Sequence, residues 1–276
     1  MSEVVQTTKD YYNSTDADEF YFRVWGGDDI HIGLYQSEAD PIGDASHRTV
    51  AHLADKLKHW PADTKALDIG AAYGGAARHL ATSNGFHVTC LNLAEVQNER
   101  NREFTAKAGL TDKIDVVDGN FEDLPFENDS FEVVWSQDSI LHSGNREKVF
   151  SEVDRVLKPG GEFIFTDPMQ KSGVEKEALR PVLNRIHLES MGSFEDYQAF
   201  AKKLDWETVE IEPLTEQLVN HYTRVQKELR SRKSELTGFV SDTYIENMIA
   251  GLQHWIDAGQ AGRLAWGVLH FRKKAA

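Results

Sequence analysis

Along the chain, short apolar runs alternate with glycine or polar breaks and with helix-like stretches. The first run, Lys65-Ala-Leu-Asp-Ile69, breaks at Gly70, tightens through Gly74-Gly75 and opens into a helix. Phe86–Leu91 reads as a second strand, followed by a helix from Glu95 to about Ala108. Ile114–Val117 and Phe131–Trp135 read as a third and a fourth strand. A fifth follows the Leu157-Lys-Pro-Gly-Gly161 turn and ends at Asp167. Strands alternating with helices predict an α/β fold, its sheet mostly parallel and covered by helices on both faces.

Beyond Asp167 the period lengthens. Residues 174–190 read as an amphipathic helix, and Ser193 is placed to cap another through Leu204. Trp206–Ile211 is a strand, long helices span about Thr215–Leu236 and Ser241–Asp257, and Leu264–Arg272 closes the sheet. Before the first strand, Asp44 is expected to cap a helix running to about Lys58. Residues 1–40 carry Tyr11, Tyr12, Phe20, Tyr21, Phe22 and Trp25, too many aromatics for a disordered tail. The pattern predicts one domain over 1–276: an N-terminal lid segment (1–43), a core (60–170) and a helical cap (171–260).

A chain of 276 residues with net charge −15, from 45 acidic and 30 basic residues, lacks the basic surface that nucleic acid demands. No apolar run is long enough to span a bilayer, and the N-terminus lacks the basic start and apolar core of a signal peptide. Cys90 is the single cysteine, which excludes an intrachain disulfide. These features lead us to expect a cytoplasmic protein, monomeric or weakly homo-oligomeric, with a small-molecule substrate, no membrane partner and no metal. An acidic surface suits an ordinary soluble enzyme and equally a salty cytosol.

The glycine turn is not a phosphate loop, because no Lys-Ser/Thr follows it, and Ala72 stands where a dinucleotide fingerprint would have a second glycine. The strand order, the Leu124-Pro-Phe126 turn and the Leu157-Lys-Pro-Gly-Gly161 entry together resemble the class I S-adenosylmethionine-dependent methyltransferases over roughly 60–170. That resemblance implies a Rossmann-like, seven-stranded sheet, S-adenosylmethionine as methyl donor and S-adenosylhomocysteine as product. It implies that Asp68 and Gly70 flank the methionine moiety and that Asn120 and Phe121 meet adenine, unless that loop is a solvated turn at Pro125. Asn92 stands where relatives carry the acidic residue that grips ribose; it bonds a hydroxyl with help from Gln97, or merely caps the next helix. Leu93, Gln137, Trp25 and His31 complete the expected cofactor wall. Trp25 and the tyrosines either close over a cation or pack as core.

In Ser136-Gln-Asp-Ser-Ile-Leu-His142, Asp138 and His142 stand four apart, a spacing that puts both on one face of a helical turn. A carboxylate can attract an ammonium, and an imidazole near its usual pKa can take its proton. Asp167-Pro168 resembles a nucleobase-methylase signature but follows the wrong strand. The 136–142 segment is similar to phosphoethanolamine and glycine-betaine-forming N-methyltransferases. Tyr11-Tyr-Asn13 with the Trp25–Tyr35 stretch, Phe165-Thr-Asp-Pro-Met169, Arg185-Ile-His-Leu-Glu189 and Gly251-Leu-Gln-His-Trp255 resemble sarcosine/dimethylglycine N-methyltransferases. The resemblance implies methylation of those amines to glycine betaine, with His142 paired to Tyr12 or its neighbour Tyr11. Asp138, Arg185, His187 and Met169 are the expected substrate contacts, with Arg180 a weaker one; Arg185 could instead pair with Glu189 on the surface. The rivals are a phosphobase methyltransferase and a cofactor-binding protein without catalysis.

Overall fold

A computed structural model describes residues 3–186 and 188–275. Strands β1 (Lys65–Ile69), β2 (His87–Asn92), β3 (Ile114–Asp118), β4 (Phe131–Gln137) and β5 (Leu157–Thr166) are joined by β7 (Glu207–Pro213) and β9 (Gly267–Arg272). They form a seven-stranded sheet in the order β3-β2-β1-β4-β5-β9-β7, with β9 running opposite to the other six strands. The chain runs outward from β1 to β3 and then returns to β4, so the order reverses between β1 and β4. Ligands of open α/β sheets bind at such a switch point, beyond the carboxyl ends of the strands.

Alternation along each strand sends side chains to two separate cores. Leu67, Val134, Phe163, Phe165 and Phe271 face Val149, Phe150 and Val153 of α6 (Arg146–Val156) and Tyr197 of α8 (Phe194–Lys203). Ala66, Val133, Trp135, Ile164 and Val268 face α3 (Ile42–Asp55) and α4 (Gly75–His79). Helices therefore cover both faces, and α5 (Glu95–Lys107) packs on β2 and β3. A third core lies off the sheet. It joins α1 (Glu3–Tyr12), α2 (Thr15–Phe20) and the π-turn Tyr21–Trp25 to α7 (Lys176–Arg185), α9 (Thr215–Ser231) and α10 (Asp242–Gln260). Asp18 of α2 is clamped by Arg100 of α5 and by the Tyr73 hydroxyl, at 3.0 and 2.8 Å. Asp16 accepts the backbone N–H and hydroxyl of Ser241, which caps α10. The N-terminal segment and the cap are thus one packed layer over the sheet's ligand edge.

Several boundaries differ from expectation for local reasons. Pro41, with φ already at −58°, starts α3 at Ile42, so Asp44 sits in the first turn instead of capping it. The helix expected over 174–190 is only α7, because the Ile186 and Leu188 N–H groups both turn back to the Leu183 carbonyl. The closing strand splits at Trp266 into β8 (Leu264–Ala265), paired with β6 (Met169–Gln170), and β9. Ser193 caps α8 as expected, accepting from the Asp196 N–H. Among the described residues no helix is long and apolar enough to cross a membrane.

Glu162 on β5 is fully buried and carries the sheet's main buried charge network. It accepts from His270 and Trp60 at 3.0 Å and from the Arg272 guanidinium at 2.6 Å. Burial alone would raise its pKa, but these donors outweigh it and hold the carboxyl at about 2. Its contribution is therefore complete above the usual glutamate range and is lost as pH falls through about 2. Glu162→Leu should cost about 2–4 kcal/mol in a urea melt at pH 7, because it leaves His270 and Arg272 unpaired. The deficit should shrink as the melts are repeated toward pH 3.

Candidate active site

A cavity opens at the switch point, roofed by the N-terminal segment and the cap. Gly70 enters it in the left-handed region (φ +88°), and a Cβ there would lie 2.4 Å from Ser139 Oγ. Ser139 is itself bound to the Ile69 carbonyl at 3.0 Å, so only glycine fits between β1 and the end of β4. Ala72 adopts the same left-handed region (φ +45°) without glycine's freedom.

One side of the cavity is lined by Gly70, Asn92, Leu93, Gln97, Asn120, Phe121 and Gln137, with Trp25 and His31 brought over from the N-terminal segment. All nine were expected there. Asn92 donates to Gln97 Oε1 at 3.0 Å, and Gln97 Nε2 is buried with no partner among the described residues. Both amide atoms of Gln137 and Nε1 of Trp25 are also buried with no partner among the described residues. Buried polar atoms normally find partners, so this set of donors and an acceptor is matched by a ligand carrying both, as an amino-acid and ribose-bearing group does.

Asp68 does not border the cavity. On β1 it shares the Ala66 face, is almost wholly buried beneath the glycine turn, and is pushed up to about 8 by burial and then by nearby Asp29. Met169 does not border it either: β6 pairs with β8 and buries this side chain in the sheet core, leaving Pro168 at the wall. His187 lies outside the described residues.

The other side holds the ionisable groups. Asp138 and His142 do meet there, but not on one helical face. Asp138 has φ +53° and only Ile140–His142 forms a 3₁₀ turn, so the chain pivots between them. Asp138 accepts from Ile32 N at 2.6 Å, Trp266 Nε1 at 2.7 Å and Thr166 Oγ1 at 2.9 Å. Burial raises its pKa, while His31 and these donors act in the opposite direction. The tyrosine facing His142 is Tyr12, its hydroxyl 3.0 Å from Nε2; Tyr11 turns instead to Tyr244 at 2.8 Å. Burial, followed by the Arg185 charge, lowers His142 to about 4, well below the usual imidazole value.

Arg185 points inward, not to Glu189, which pairs with Lys176. Its guanidinium touches Met248 Sδ at 2.8 Å and makes no salt bridge among the described residues. Arg180 is exposed and bound to Glu177. Tyr21, one of the N-terminal tyrosines weighed above, lines the cavity, and so do Tyr222 and Trp255, neither of which sequence reading assigned to the site. Trp255 ends one of the motifs singled out for its likeness to known proteins, which was the available signal.

Residues 67–165 match the family model described as a methyltransferase domain. The chain is 56% identical over 98% of its length, and 98% of the other, to a sarcosine/dimethylglycine N-methyltransferase of Aphanothece halophytica. It is 52% identical, over 98% of its own length and 48% of the other, to a glycine/sarcosine/dimethylglycine N-methyltransferase of Actinopolyspora halophila. This chain belongs to the sarcosine/dimethylglycine N-methyltransferase family. A solved structure from Galdieria sulphuraria, provisionally assigned as a sarcosine dimethylglycine methyltransferase, superposes with a TM-score of 0.91. It is 45% identical, the match covering 96% of this chain and all of that one. The methyl donor of the family is S-adenosylmethionine, and the unpaired amides of Gln97 and Gln137 fit such a group.

An NMR titration of His142 should find the ring neutral down to about pH 4. Arg185→Leu should move that midpoint upward, since it removes the positive charge that opposes protonation. A wild-type midpoint near 6.5 would contradict the buried, Arg185-facing placement.

Proposed function

We propose that this protein transfers methyl groups from S-adenosylmethionine to the nitrogen of sarcosine and dimethylglycine, ending in glycine betaine. One observation carries the reading: the Asp138 carboxylate and the Arg185 guanidinium, which makes no salt bridge among the described residues, face the same cavity. Opposite charges at two points of one pocket complement a small zwitterion, the ammonium end toward Asp138 and the carboxylate toward Arg185. The full-length likeness to curated relatives of that name supports the same substrates. A phosphobase fits less well, because Lys9, a second cation at the wall, is engaged by Glu95. Glycine betaine is an osmolyte, and a role in osmoprotection within the cytoplasm agrees with the net charge of −15.

The bound cofactor supplies an electrophilic methyl on its sulfonium. Gln97, Asn92, Asn120 and Gln137 would hold it, and Trp25 and His31 would close over it. The chain's own residues prepare the nucleophile. If the amine resembles that of lysine, its neutral form at pH 7 costs about 4–5 kcal/mol. The Tyr12 hydroxyl donates to Nε2 of the neutral His142 ring, so a proton leaving the amine passes to the phenol oxygen as the phenol's own proton moves to Nε2, and the ring, too weak a base to keep a second proton, gives up its Nδ1 proton to water. Burial keeps Tyr12 protonated, which suits a relay and not a standing base. Asp138 holds the ammonium until then and Arg185 aligns the nitrogen.

Purified protein should methylate dimethylglycine and sarcosine and leave phosphoethanolamine unreacted. Equal or faster turnover of the phosphobase would reject the zwitterion reading. Arg185→Lys should raise KM for dimethylglycine by roughly tenfold with kcat nearly kept, because an ammonium cannot reproduce the fork. His142→Ala should lower kcat by roughly 100-fold. Since His142 titrates near 4, the wild-type rate should show no inflection at the usual histidine pKa; its rise on the alkaline side belongs to the amine.

A further inference from the structure

His221, on α9, is fully buried and does not border the cavity, yet it holds the segment that does. The Gly33 N–H donates to His221 Nδ1 at 3.1 Å, and the Tyr35 hydroxyl lies 3.0 Å from the same atom. A backbone N–H can only donate, so Nδ1 carries no proton; the neutral ring carries it on Nε2, and Tyr35 must be a second donor. Nε2 has no partner among the described residues, and the ring packs against Trp25 with centroids 4.9 Å apart. Burial, then His31, lowers the ring's pKa to about 3, consistent with a permanently neutral acceptor.

Gly33 is adjacent to Ile32, whose N–H binds Asp138 at 2.6 Å. Two successive backbone N–H groups are thus taken by Asp138 and by His221. The carbonyls of the same stretch are held from α3, His31 O by Ser46 and Ile32 O by Thr49, at 2.8 and 2.7 Å. Position 33 tolerates only glycine, because a Cβ would come within 2.6 Å of Ala45. The segment is therefore gripped from α3 on one side and from His221 on the other, with the Asp138 carboxylate as its third contact.

We infer that His221 is a positioning residue for acceptor binding: as a neutral, Nε2-protonated imidazole it fixes residues 31–33 so that the Ile32 N–H holds Asp138 in place for the substrate ammonium. The inference rests on the proposed placement of the amine at Asp138. The oxygen of an asparagine side chain can occupy the place of Nδ1, whereas that of glutamine reaches only the place of Nε2.

The test uses the full chain with His221→Asn, His221→Gln and His221→Leu. Each is checked by thermal melting and by S-adenosylhomocysteine binding. For Leu and Gln, KM for dimethylglycine should rise about tenfold or more with kcat within about threefold of wild type, and any loss of S-adenosylhomocysteine affinity should be smaller than the rise in KM. Asn should recover most of the loss. If the Leu variant does not fold, Asn against Gln decides alone. Equal KM values for Asn and Gln, or an unchanged KM in a folded Leu variant, would overturn the role. Nitrogen-15 NMR of the wild-type histidines, with no substrate present, should find His221 protonated on Nε2 at pH 7, and an Nδ1–H tautomer would also refute it. Wild-type turnover tests the substrate reading separately: should another amine prove better, the same KM comparison is made with that amine.

Discussion

The three hydrogen bonds to Asp138 join parts of the chain that share no local structure. Ile32 belongs to the N-terminal segment, Thr166 ends β5, and Trp266 interrupts the return strand. A buried carboxylate left without donors would be costly, so each of these parts must arrive before the charge can sit there. The same constraint explains the break between β8 and β9. Trp266 leaves the ladder and turns its indole N–H to Asp138, while its backbone stays tied to Leu214 and Thr215. Sheet, roof and cap are in this way assembled around one acidic group at the ligand edge.

The electrostatics of the cavity follow from what shares it. Burial, helped by Arg185, keeps His142 neutral, and Arg185, unneutralised by any acidic side chain among the described residues, draws negative charge toward itself. Asp138, half-buried and supplied with donors, lines the same cavity. Tyr11, Tyr12 and Tyr21 fill the space near Arg185 with rings whose hydroxyls face one another. The result is an aromatic-lined chamber in which Asp138 and Arg185 are the opposed charges, Lys9 at the wall being paired with Glu95, and each acts more strongly than it would in water.

The third core explains why the roof belongs to the fold. Phe20, Val24 and Trp25 pack with Leu218, Tyr222 and Trp255, contacts that span almost the whole chain. The ion pair of Asp18 with Arg100 and the cap of Ser241 by Asp16 then fix its two edges.

The sequence alone determined what depends on local pattern. Short apolar runs, glycine turns and capping residues place the strands and most helices within a few residues, and the motifs after β1, β2, β3 and β4 locate the ligand edge. Gly70, Asn92, Gln97, Asn120, Gln137, Asp138 and His142 were legible because they stand at strand ends or within five residues of them. What depends on which side of an element faces which neighbour was decided only in three dimensions. Alternation on β1 turns Asp68 beneath the glycine loop, pairing with β8 buries Met169, and the packing of α1 brings Tyr12, not Tyr11, to His142. The depressed pKa of His142 and the hold of His221 on Gly33 were equally invisible. Both arise from groups far apart in the chain, and a sequence records neighbours along the backbone, while burial and charge act through space.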